Sequence, residues 1–73
     1  MRRVGEVVRT AQGLAIVRSP DEHYPEIGTS VVDEGLASVG RVVDVFGPVE
    51  RPYLAVDPHD RPAGLLGTKL YGE

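Results

Sequence analysis

The sequence predicts an all-β protein, a small six-stranded antiparallel barrel that forms one domain over residues 1–73. Three observations carry this. Nine Gly and six Pro punctuate 73 residues, and no stretch repeats apolar side chains at i, i+3, i+4 and i+7, so no amphipathic helix is expected. Six short runs rich in Val, Ile, Leu and Tyr are separated by turn residues about every 8–12 positions. Several of these runs are apolar on both faces, and closing a sheet on itself covers one face while removing its exposed edges.

The elements follow in order. Val4–Arg9 (VGEVVR) and Leu14–Arg18 (LAIVR) flank Thr10–Gly13 (TAQG), a hairpin in which glycine supplies a positive φ. Leu14 and Ile16 share one face of the second run, Ala15 and Val17 the other, so both sides look partly covered. Ser19–Ile27 (SPDEHYPEI) is a polar loop bounded by proline. Gly28–Asp33 is a short third strand and Asp33–Ala37 a turn. Ser38–Phe46 is the longest strand, Gly47–Arg51 its turn and Pro52–Asp57 its return. Pro58–Gly64 is a loop, and Lys69–Tyr71 closes the sheet. No internal repeat or low-complexity tail is visible.

Composition bounds the partners. A chain of this size buries only about 60% of its unfolded surface, so folding alone is marginal and a partner helps. There is no cysteine, hence no disulfide framework, no thiolate metal site and no thiol nucleophile; a reducing, cytoplasmic setting fits that usage. Met1–Thr10 carries Arg2 and Arg3 with no apolar region behind them, unlike a secretory leader. No run approaches the roughly 18 apolar residues of a membrane span. Eight basic against eleven acidic residues leave a formal charge of −3. A domain that binds nucleic acid by itself usually shows a basic patch, whereas Arg9, Arg18, Arg41, Arg51, Arg61 and Lys69 lie scattered along the sequence.

Catalytic chemistry finds no set of residues to carry it. Asp57, His59 and Asp60 in "DPHD" could be drawn as metal ligands, but no second cluster supports them, and a proline turn with Asp side chains bonded to backbone accounts for the pattern. Ser19, Ser30 and Ser38 lack the context of a nucleophile elbow. Asp21, Glu22 and Glu26 share one loop rather than facing each other across a cleft, and Gly35 and Gly40 flank "LASV" rather than a helix start. The expectation is a non-enzyme with no cofactor, no metal and no small-molecule substrate.

The stretch VVDVFGPVERPYLAV (42–56) breaks strand alternation: Val42, Val43, Val45 and Phe46 point to both faces. Either these side chains fill the lumen and lie under loops, or part of them forms an exposed apolar strip that docks on another protein. Phe46, Pro48, Val49, Pro52, Tyr53 and Leu54 surround one hairpin tip. Pro48 stiffens that tip and lowers the entropy lost on docking. Exposure of Phe46 and Leu54 separates the two readings.

The same stretch carries a resemblance. "VGRVVDVFGPVERPYLAV" (39–56), preceded by "PEIGTSVVDEGLASVG" (25–40) and followed by "GTKLY" (67–71), closely resembles the Gar-type small barrel subunit of archaeal H/ACA RNA–protein complexes, which guide the conversion of uridine to pseudouridine in ribosomal RNA. The similarity runs from "VGEVV" (4–8) to "KLY" (69–71). It implies a six-stranded barrel like the second domains of translation factors and a non-catalytic role. It further implies docking on the catalytic pseudouridine synthase subunit, help in placing and releasing substrate RNA, and only indirect contact with guide RNA and ribosomal RNA. The family's motif falls on Val45, Phe46, Gly47, Pro48, Val49, Pro52 and Tyr53, which the resemblance places at or beside the synthase-binding surface. The glycine–arginine-rich tails of the eukaryotic relatives are absent from this sequence. Two alternatives stand beside this. One is a barrel that binds RNA directly in ribosome maturation, for which the sequence offers only Arg41, Arg51 and Tyr53 on a common face. The other is a regulatory barrel module with an unrelated protein partner.

Overall fold

The computed structural model describes residues 2–20 and 22–72; Asp21, named above with the loop carboxylates, lies outside them. Six strands form one closed antiparallel barrel: β1 (Arg2–Ala11), β2 (Leu14–Arg18), β3 (Ser30–Val32), β4 (Ser38–Phe46), β5 (Tyr53–Pro58) and β6 (Lys69–Gly72). Around the barrel the order is β1-β2-β5-β4-β3-β6, with β6 returning to β1. The expected all-β, six-stranded architecture is the observed one. The third strand is shorter than predicted, although Gly28 N–H donates to the Val42 carbonyl (2.7 Å) and Val42 N–H to the Thr29 carbonyl (3.0 Å), extending the pairing beyond it. Pro62–Leu65 (PAGL) is a single turn of 3₁₀ helix within and just beyond the predicted loop. Pro62 at its start fits such a turn, but four residues carry too little periodicity to announce it.

The lumen is filled by Val4, Val7, Ala15, Val17, Val31, Val39, Val42, Leu54, Val56 and Leu70. β-Branched valines dominate, as suits a narrow barrel in which strands curve tightly around short side chains. The broken alternation of the sequence has a geometric cause. On β4, Val42 faces Val56 but Asp44 already faces Ala55, so Val43 is an extra residue, 40% exposed. On β1, Val7 faces Val17 and Arg9 faces Ile16, which makes Val8 the extra residue, 45% exposed. Each bulge resets parity, bends its strand and helps the sheet close. Val45 thus returns to the core side while Phe46 points outward.

Two glycines are dictated by close approach. A Cβ on Gly5 (φ 149°) would run into the Arg18 carbonyl, and one on Gly40 into the Asp57 carbonyl. Only glycine lets these strands cross at that separation.

Candidate functional site: an aromatic and cationic hairpin face

Five strands align five outward residues in one cross-barrel row. Lys69 on β6 faces Glu6 on β1, Glu6 faces Arg18 on β2, Arg18 faces Tyr53 on β5, and Tyr53 faces Phe46 on β4. Tyr53 is the hub. Its ring centroid lies 5.7 Å from that of Phe46 with 22° between the planes, the near-parallel offset arrangement that aromatic quadrupoles favour. The guanidinium carbon of Arg18 is 5.6 Å from the Tyr53 centroid and that of Arg9 is 6.0 Å from it, both within cation–π range. The backbone of Arg9 is opposite Ile16, so reaching Tyr53 carries its stem over the outer face of β2. There Ile16 and its neighbour on β5, Ala55, are almost fully buried despite facing outward. The apolar stem of an arginine can cover such residues while its head stays in water.

The turn between β4 and β5 is braced from below. Ser19 N–H donates to the Pro52 carbonyl (3.0 Å), Arg51 Nε donates to the Ser19 carbonyl (3.3 Å), and Ser19 Oγ donates to the His23 carbonyl (3.3 Å). Gly47 has φ 92°, and a Cβ there would sit 2.8 Å from Tyr53 Cδ2. Glycine is needed at that corner both for its backbone conformation and to make room for the ring. Between the turn and the Ser19–Ile27 loop runs an open groove of about 460 Å³, lined by Glu22, His23, Tyr24, Val45, Phe46, Gly47, Pro48, Val49 and Pro52.

The structure divides the residues expected at the docking strip. Val49 (81% exposed), Pro48, Gly47 and Phe46 (38% exposed) are at the surface. Tyr53 is half-buried beneath the two arginines, and Val45 is half-buried against the core. Pro52 is buried. Leu54 has to be removed from the strip: it is fully buried in the lumen cluster, because residues 53 and 54 of an extended strand must face opposite sides. Of the two residues whose exposure was to decide between core and docking strip, Phe46 is therefore at the surface and Leu54 is core.

The cationic partners of Tyr53 also differ from the expectation. Arg41 faces Ser30 and Asp57 elsewhere on the barrel, and Arg51 is tied to Ser19; Arg9 and Arg18 take their place. The missing signal is the β2–β5 pairing, which joins segments 35 residues apart as Arg18↔Tyr53. On the far side, His59 Nε2 lies 3.0 Å from Ser38 Oγ, and His59 N–H donates to the Val39 carbonyl (2.8 Å). Together they clip the start of β4 to the end of β5. Among the described residues no three His, Asp or Glu side chains gather as a metal cage.

Two comparisons with known proteins bear on this face. The chain is similar to an uncharacterized protein of Methanocaldococcus jannaschii, 35% identical over 60 residues that cover 82% of this chain and 70% of the relative. Residues 1–72 match the family described as the Gar1/Naf1 RNA binding region. A match over that span takes in all six strands, the Gly47 corner and the aromatic row, and the chain belongs to the Gar1/Naf1 RNA-binding-region family.

Proposed function

We propose that this protein is a non-catalytic subunit of an H/ACA-type RNA–protein particle that docks on the pseudouridine synthase subunit and aids placement and release of substrate RNA. Membership of an RNA-binding family supports a role in an RNA–protein complex. The observation that carries the finer reading is the apolar tip of the β4–β5 turn. Val49, Pro48 and Phe46 are exposed together at one turn and border a groove lined on its other side by Tyr24, whereas Val8, Ile27, Leu36 and Leu66, also exposed, belong to other segments. A rigid proline-flanked turn with an aromatic beside it is a compact protein-binding element. In this proposal Gly47, Pro48 and Val49 contact the synthase, Val45 and Pro52 support them from beneath, and Phe46 and Tyr53 border the patch. Guide RNA and ribosomal RNA are then held mainly by the rest of the particle, in keeping with a formal charge of −3.

The test is capture of the catalytic pseudouridine synthase subunit of an archaeal H/ACA particle by the immobilised chain, without RNA. Val49→Asp is the comparison, because a side chain 81% exposed can take a charge without disturbing the core. Retention by wild type and loss by a folded Val49→Asp, with folding read by far-ultraviolet circular dichroism, is the expected result. A well-folded wild type that captures no synthase removes this function.

A further inference from the structure

We propose that the outer face of β2, β5 and β4 is a stacking site for single-stranded RNA, taking one unpaired base on the Phe46 ring and the flanking phosphates on Arg9 and Arg18. This deepens the chain's membership of an RNA-binding family by giving that binding a place and a strand form. It does not depend on docking to a synthase.

The geometry supplies both halves of such a contact. Phe46 and Tyr53 form a step of two near-parallel rings on adjacent strands. Tyr53 is held under two guanidiniums, whereas Phe46 keeps 38% of its surface open, so a base can extend the stack on the Phe46 side. A guanidinium lying on a ring uses its face; its N–H donors point outward in its own plane and remain available to a phosphate. Arg9 and Arg18 sit beside the stack before any ligand arrives, with Arg18 exposed and Arg9 at the surface. Preordering lowers the entropy lost on binding.

Charge selects the strand form. A duplex hides its base faces and has to be held through many phosphates. A chain of net charge −3 whose aromatic pair carries only two arginines, both over Tyr53, is poorly suited to that. A single strand offers π-faces, so few cations suffice. Glu6, the register partner of Arg18, sits in the same row and opposes phosphate there. Its presence gives a gain-of-binding test that a purely structural role for the face does not share.

The experiment is fluorescence anisotropy of a labelled oligouridylate of about twelve nucleotides, titrated with the free 73-residue chain at several salt concentrations. Binding in the range of about 10⁻⁴–10⁻⁶ M is expected. Phe46→Ala should weaken it about 5- to 150-fold, and Phe46→Leu, which keeps apolar bulk without a π-face, should do nearly as much. Arg9→Gln with Arg18→Gln should lower the slope of log affinity against log salt by about 1.4, roughly 0.7 for each phosphate no longer neutralised. Glu6→Gln should tighten binding. Arg41→Gln, the same charge change away from the row, should stay within about twofold of wild type. The proposal is overturned by any of three results: no saturable binding, Arg41→Gln as damaging as Arg18→Gln, or duplex RNA of equal length bound as tightly as the single strand. Because no synthase is present, failure here leaves the docking reading standing, and failure of synthase capture leaves this one standing.

Discussion

Leu54 and Val49 lie five residues apart on one hairpin, and truncating each to alanine should separate folding from docking. Leu54 is fully buried among the lumen valines, whereas Val49 is 81% exposed. Removing a buried leucine side chain costs the lost transfer of its carbons, at about 0.8 kcal/mol per methylene, plus the cavity left behind, for a total of about 3–4 kcal/mol. A domain of 73 residues holds a total of only about 4–11 kcal/mol at the usual 0.05–0.15 kcal/mol per residue. Leu54→Ala should therefore lower Tm by about 12–30 °C, taking roughly 4–8 °C per kcal/mol for a domain of this size, or leave the chain unfolded. Val49→Ala should stay within about 0.5 kcal/mol, a Tm change of no more than about 4 °C. Thermal and urea unfolding followed by far-ultraviolet circular dichroism reads both. Equal losses for the two variants, or a cost below about 1 kcal/mol for Leu54→Ala, would refute the assignment of Leu54 to the lumen and Val49 to the surface.

The glycines give two sharper contrasts. Gly5→Ala, which drives a Cβ into the Arg18 carbonyl, should destabilise the barrel by several kcal/mol, while Gly64→Ala, with nothing within 4 Å, should be near neutral by the same unfolding assay. Gly47→Ala should cost about 1–3 kcal/mol through its positive φ and displace the Tyr53 ring. The second effect is read as a change in the cross-strand nuclear Overhauser effects between Tyr53 and Phe46. Unchanged ring-to-ring effects would mean that the corner does not position Tyr53.

The strands are legible because local composition and turn chemistry define them. Leu14–Arg18 and Ser38–Phe46 have the same bounds in sequence and structure. The sides their residues take are less legible. "VVDVF" looks apolar on two faces because Val43 is a bulge residue, and nothing local distinguishes an inserted position from an alternating one. Leu54 groups by sequence with its neighbours around the turn, although strand parity opposes it to Tyr53. The cations look scattered because their convergence on Tyr53 exists only once β2 pairs with β5, a pairing set by closure of the whole barrel. Arg9 is least visible: the bulge at Val8 changes its side, and its reach across β2 depends on the rotamer.

The shortness of β6 has a consequence for how the chain reaches this state. Four residues, Lys69–Gly72, form the seam on both sides at once, pairing with β1 through Arg2–Glu6 and with β3 through Val31 and Val32. The β1–β2 and β4–β5 hairpins can form from neighbouring sequence, but the seam joins opposite ends of the chain and carries the largest loop-closure entropy. Until it forms, β1 and β3 each present an unpaired edge. Closure is therefore the step expected to limit the folding rate, and substitutions in β6 should slow folding more than equally destabilising ones within either hairpin.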